Sequence, residues 1–241
     1  MVIQSADYFI VNGISSASVG LYVDTPPVPP MASQRVTTWQ TGIDADCHSP
    51  DNVYDDIRLT INAYCFFPES FDLSAVYAFL ADAKTLMFSR FPNRFLKVVK
   101  VDSVQPVQQW DGKRITLKIG FTCNPFKYHA SNPEIAITEN KLVNPGTRYS
   151  RPLYKITHDV GGDTILSVNG QTCTINYRAS NPIYIDSERM IAYNESGVNQ
   201  TQYTAGLFPF LAPGMNLLSV VHSSGIASAA SLVVKGNWRD Y

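Results

Sequence analysis

Signals of reactive chemistry are sparse in this sequence. Asp, Glu, Lys and Arg make up only 16% of the 241 residues, against about 25% in ordinary soluble domains. Nineteen bases against twenty acids leave a net charge of −1, so bulk electrostatics gives no hold on a nucleic acid. The four cysteines, Cys47, Cys65, Cys123 and Cys173, lie far apart with no Cys-x-x-Cys pair, which argues against zinc or thioredoxin-type chemistry. Cys65 and Cys123 fall inside apolar alternating runs, where a free thiol acts as a small core residue, so reduced cytosolic synthesis is expected. His48, His129, His158 and His222 are scattered and form no metal-ligating pattern. A Gly-x-Ser-x-Gly elbow, a phosphate-binding loop and Gly-x-Gly-x-x-Gly are all missing. A triad gathered from distant positions is the enzymatic route left open. The expectation is a protein that is not an enzyme, with no catalytic, cofactor-binding or metal residues.

Targeting signals are equally thin. No basic residue precedes Arg35, so a secretory n-region is absent, and the sequons at Asn194 and Asn199 carry no weight without one. From Ser196 to Val234 no residue carries a formal charge. Pro209, Pro213, Gly214, Asn216 and the polar run from His222 to Ser224 interrupt that stretch, which falls short of the roughly 20 consecutive apolar residues a spanning helix needs. Several short strands are the better reading.

What remains is enough to build a core: 45% apolar residues and 12% aromatic, which excludes bulk disorder. Arg114 to Cys123 places Ile115, Leu117, Ile119, Phe121 and Cys123 on one face, a clear half-buried strand. Asp111-Gly112 before it reads as a hairpin turn, with Phe95 to Val107 as partner. Ile57 to Phe67 is another alternating strand. One helix is expected from an N-cap at Asp72, with Leu73, Val76, Leu80, Ala83 and Met87 at helical spacing and an end near Ser89. After residue 150, Gly161-Gly162, Asn169-Gly170, Asn181-Pro182 and Pro213-Gly214 punctuate short strands, as in an antiparallel sandwich.

The fold class is therefore mainly β with one α-helix, in two domains. The cluster of turn signals from Asn132 to Arg151 sets the boundary, giving an N-terminal domain of 1–140 and a C-terminal domain of 141–241. Thr25 to Pro30 (TPPVPP) is a stiff connector that proline keeps out of a sheet interior. The patternless span from 25 to 45 is either an extended arm lying on a neighbouring subunit or a surface loop. Residues 1–70 carry eight acids and two bases, and residues 71–160 thirteen bases and seven acids. That polarity fits either two solvated faces or head-to-tail contact between subunits, which closes into rings.

Three weaker candidates were weighed. Asp44, Asp46 and His48 with Asp51, Asp55 and Asp56 could suggest calcium, but the third-ligand and Gly places of the EF-hand pattern are wrong, leaving a solvated acidic turn. Lys84 to Lys127 holds nine Lys and Arg with Phe88, Phe91, Phe95 and Trp110 interleaved, a nucleic-acid-like mixture whose aromatics follow a core period. Trp39, Tyr22 and Tyr203 could stack on sugars, although most of the 28 aromatics must be interior.

RFPNRFLKVVKVDSV and RITLKIGFTCNPFKYHA, with the phrase Cys123-Asn124-Pro125-Phe126, resemble the distal tail protein (Dit) family of siphovirus-type bacteriophages. So do YDDIRLTINAYCFF (Tyr54 to Phe67), Asn144-Pro145-Gly146 with Arg151-Pro152, TILSVNGQTCTINY, and the closing FPFLAPGMN from Phe208 to Asn216. The resemblance covers most of residues 50–241 and lies in the order of the pieces. It implies a short form without an inserted carbohydrate-binding module, located at the phage tail tip after synthesis in the host cytoplasm. The N-terminal domains would form a hexameric ring, and the C-terminal domains would be galectin-like β-sandwiches. Its partners would be the tail tube protein, a tail fibre or lysin protein, and a receptor-binding protein, with no membrane, no specific nucleic acid and no cofactor. A stand-alone carbohydrate-binding β-sandwich is the alternative.

Overall fold

A computed structural model describes residues 6–40, 46–65, 72–108, 115–157, 162–222 and 230–241, with backbone alone at 39, 40, 46–48, 50, 52, 108 and 222. The chain divides into two compact units, 1–130 with Tyr241 and 131–240. The division falls about ten residues before the boundary of 140/141 set by turn chemistry. Glu134 to Ala136 already pair with Val233 to Lys235 in the second unit, so the Asn132–Arg151 turn cluster lies inside that unit and does not separate the two.

The first unit contains β1 (Phe9–Val11), β2 (Ile14–Ser15), β3 (Tyr22–Val23), β4 (Gln34–Gln40), β5 (Asp46–Tyr54), β6 (Ile57–Cys65), α1 (Leu73–Ala81), β7 (Thr85–Phe88), β8 (Arg94–Gln108) and β9 (Ile115–His129). Its main sheet runs β2-β1-β7-β8-β9-β6-β3. The alternation of β9 is realised: Leu117, Ile119, Phe121 and Cys123 are fully buried, and they join Phe9, Ile61, Val76, Leu80 and Leu86 in one core. Each large side chain in that core contributes about 1.5–3 kcal/mol by leaving water. Two-residue turns close two of the hairpins in the molecule. Asn12-Gly13 joins β1 to β2 with φ of 52° and 83°, the left-handed pair a type I′ turn requires. The Asn-Gly pair that makes this turn is present in the sequence.

The helix is shorter than expected. Asp72 caps it, its carboxylate accepting from the Ser74 amide at 2.8 Å, and Val76 and Leu80 are its buried residues. It stops at Ala81, and Met87 lies in β7 paired with Ile10, not on a fourth turn. Asn12 Oδ1 accepts from the amides of Lys84 and Thr85 at 2.8 and 3.1 Å, which fixes the chain in extended form where a helix would have continued. From there, burial alternates with period two, Leu86 and Phe88 inward, so a strand period displaced the helical one.

The second unit is a sandwich of two five-stranded sheets. One contains β10 (Glu134–Ala136), β12 (Leu153–Thr157), β15 (Ile183–Asp186), β16 (Ile191–Asn194) and β19 (Ser231–Lys235), in the order β10-β19-β12-β15-β16. The other contains β11 (Lys141–Asn144), β13 (Thr164–Val168), β14 (Gln171–Ile175), β17 (Thr204–Gly206) and β18 (Gly214–His222), in the order β11-β18-β13-β14-β17. Asn169-Gly170 makes the expected tight turn, with Val168 opposite Gln171 and φ of 49° and 82°. Tyr154, Ile156, Leu166, Ile175, Ile183 and Ile185 fill the space between the sheets with no exposure. The arrangement matches the antiparallel sandwich expected from turn spacing.

Candidate interaction surfaces

Among the described residues, no group of three or more His, Cys, Asp and Glu that could hold a metal ion converges. Asp44 lies outside the described residues, as do the side chains of Asp46 and His48. The rest of the acidic run serves the arm formed by β4 and β5: Asp51 accepts from the Thr37 hydroxyl at 2.8 Å, and Asp55 pairs with Arg35 at 2.8 Å. Among the described residues no helix is long and apolar enough to cross a membrane.

The buried cysteines Cys65, Cys123 and Cys173 are free. Burial pushes the Cys123 thiol up to about 12 and that of Cys173 up to about 11. Because the folded state favours the neutral thiol, the associated stability is complete below pH 9. It is lost as pH rises through the interval from 9 toward those values. In native protein at pH 8, iodoacetamide is therefore expected to leave Cys123 and Cys173 unmodified. Peptide mass spectrometry would check this against a sample in urea, where both should be alkylated; labelling in the native sample would contradict it.

The basic segment spends much of its charge locally. Lys100 pairs with Asp102 at 2.9 Å, and the Asp102 carboxyl sits below its usual value because of the Thr122 hydroxyl bond, then Lys100. Lys97 lies 4.2 Å from the centre of the Tyr128 ring, which stacks on Phe95 at 5.5 Å. Arg90 pairs with Asp7, and Lys127 donates to the Tyr241 carbonyl at 2.7 Å. Trp110 and Asp111-Gly112 lie outside the described residues.

The aromatics singled out for sugar stacking are otherwise engaged. Tyr22 packs on Tyr64 with ring centres 6.2 Å apart, Tyr203 packs against the second core, and the Trp39 side chain is not described. Trp238 is buried and fills the space above Gly236, where a Cβ would meet its ring at 2.1 Å. Tyr184 and Tyr193 are stacked at 5.4 Å with planes 3° apart, and the Lys155 ammonium lies 5.5 Å from the centre of the Tyr184 ring. Tyr184 is therefore already engaged by two neighbours.

A larger feature replaces these candidates. Among the described residues, β4 and β5 pair with one another and with no other strand, with Thr37 opposite Ser49 and Gln40 opposite Asp46. The described side chains from Gln34 to Val53 are all exposed, Val36 and Val53 included. At its base the arm meets its own core, where Tyr54 packs on Phe126 at 5.5 Å. Part of the span read as patternless, and the acidic turn after it, are thus strands. The described side chains of this ribbon show no alternation of burial, and no apolar alternation marks it in the sequence.

Val28 and Pro29 of the proline-rich connector line a pocket of about 200 Å³ together with Leu86, Phe88, Phe95 and Leu96. Val28 and Met31 project from it, strongly exposed.

No family model matches the sequence, and no curated protein matches it. Solved structures do. The Dit protein of phage SPP1, described as a paradigm of the hub adsorption apparatus in phages infecting Gram-positive bacteria, aligns with a TM-score of 0.71 at 13% identity. The alignment covers 95% of this chain and 98% of that one. This chain has the distal tail protein fold. Two structures of the phage P2 baseplate in its activated conformation, with Ca and with Sr, align at TM-scores of 0.43 and 0.44 with 10% and 9% identity. They cover 95% and 96% of this chain and 97% and 99% of theirs; only the SPP1 likeness bears on the fold. In a distal tail fold the phrases read as a resemblance have structural work. Asn144 donates to the carbonyls of Arg148 and Leu211 at 3.0 and 3.2 Å and accepts from the Gly146 amide. Asn216 of FPFLAPGMN is fully buried in the same unit.

Proposed function

We propose that this chain is the hub subunit of a long-tailed phage tail tip, closing into a six-membered ring between the tail tube and the fibre or lysin protein. Residues 1–130 build the ring, and 131–240, a galectin-like sandwich, carry receptor-binding components. The observation that carries this reading is the likeness to the SPP1 hub protein over nearly the whole of both chains. Fold alone does not assign function; the arm supplies independent support. A two-stranded ribbon without other packing is marginal in water, so it needs a surface to lie on. Residues 34–56 hold five acids against Arg35, and residues 71–160 have a net positive charge. An acidic arm laid on a basic neighbour repeats head to tail and closes a ring, with complementary charge fixing register. The hub works by shape: a central opening and repeated docking faces, with no reacting group.

Light scattering on purified protein at micromolar concentration and moderate salt tests the reading. Six chain masses are expected, and a monomer would refute it.

A further inference from the structure

The two sheets of the second unit turn different chemistry outward. On the β10-β19-β12-β15-β16 sheet, the register aligns Glu134, Lys235, Leu153 and Asp186 across four strands. On the other sheet, burial alternates along every long strand, with Leu142, Asn216, Leu218, Leu166 and Cys173 inward. Outward stand Val143 at 55% exposure, Met215 at 64%, Leu217 at 59% and Val221 at 46%. Val143 lies opposite Met215, and Ile165 opposite Val221. Between these apolar ends, the register sets Ser219 beside Ser167 and Ser167 beside Thr172. Among the described residues of these five strands, the single formal charge is Lys141, on edge strand β11. The charge-free run from Ser196 to Val234 supplies both β17 and β18 of this sheet, and most of β19 in the other.

We infer that the outward face of the β11-β18-β13-β14-β17 sheet docks a different protein, through an uncharged apolar surface on that partner. The inference rests on the ring reading and names the chemistry of one of its docking faces. Three physical points select the occupant. Anionic polymers and charged glycans find no counter-charge here beyond Lys141, whereas depletion of charge with exposed Met marks the centre of protein interfaces. A second copy is disfavoured by area. Five strands about 4.8 Å apart and about five residues long span roughly 400 Å², so two such faces would bury about 800 Å², below the roughly 1,200 Å² of stable specific contacts. It is also disfavoured by symmetry, since like faces meet only across a two-fold axis and a six-fold ring has none between neighbours. A heterologous partner avoids both limits, because six copies displayed on one ring bind a multivalent partner with far greater avidity than one.

The test compares full-length Met215→Glu/Leu217→Glu with Lys155→Glu/Lys235→Glu on the opposite face. All four positions lie on the surface, so unfolding temperatures should stay close to wild type. Light scattering should give the wild-type oligomer mass for both variants. Particles assembled by the phage carrying each variant are then analysed by mass spectrometry. The proposal expects a component seated on the hub to fall at least about tenfold in the Met215/Leu217 particles and to stay at wild-type level in the others. A full complement of tail proteins, or equal loss in both variants, overturns it. A changed oligomer mass in the Met215/Leu217 variant would overturn it in favour of a second copy. A monomeric wild-type chain would instead fail the ring reading and the proposal with it.

Discussion

Replacing Asn216 with alanine is expected to lower the unfolding temperature of the second unit by about 10 °C or more. The side chain is fully buried and fully used. Its Nδ2 donates to the carbonyls of Ala212 and Gly214, both at 2.9 Å. Its Oδ1 accepts from the Ala212 amide at 2.8 Å and from Asn169 Nδ2 at 2.7 Å. It therefore ties the turn before β18 to the Asn169-Gly170 hairpin. Alanine leaves several buried polar groups without partners, each costing about 1–3 kcal/mol, and a loss near 3 kcal/mol moves a unit of this size by about 4 °C per kcal/mol. Calorimetry on the full chain would measure it. A shift below about 3 °C would mean that water replaces the amide and that the phrase has no structural weight.

Removing the arm should have a larger effect on assembly and a smaller one on folding. Gln34 and Tyr54 face each other at its base, so an Asn-Gly turn can replace residues 35–53 without stretching the chain. The core of the first unit draws on neither β4 nor the excised part of β5, and its unfolding temperature should stay within a few degrees of wild type. The oligomer, by contrast, should fall from six chains to one in light scattering. Salt should act in the same direction, since raising it from 0.1 to 1 M shortens the screening length from about 10 to 3 Å. A six-chain mass that survives excision would place the ring contacts elsewhere.

The parts legible in the sequence are those where one face is buried and the other wet. β9 is the clearest, since Leu117, Ile119, Phe121 and Cys123 of its expected inward face are all buried, while Ile115 is half-buried and Thr122 of the other face is buried too. Asn169-Gly170 was legible because only residues that tolerate positive φ close a two-residue turn. Where the described side chains are all exposed, as from Gln34 to Val53 in the arm, the pattern vanishes and a strand looks like a loop. The helix was overextended because Ala83 and Met87 keep helical spacing by chance, while Asn12, seventy residues away, decides the backbone at Lys84 and Thr85. The domain boundary was misplaced because Asn144-Pro145-Gly146 reads as a linker but is a turn held by the Asn144 side chain. The docking face was visible only as missing charge. Which of its residues point outward depends on register, and register follows from strand pairing that composition does not disclose.

Electron micrographs of the purified, unmodified protein decide the main question most directly. The account predicts closed rings of six equal lobes around an open centre. Isolated particles of a single chain, or open filaments, would contradict it.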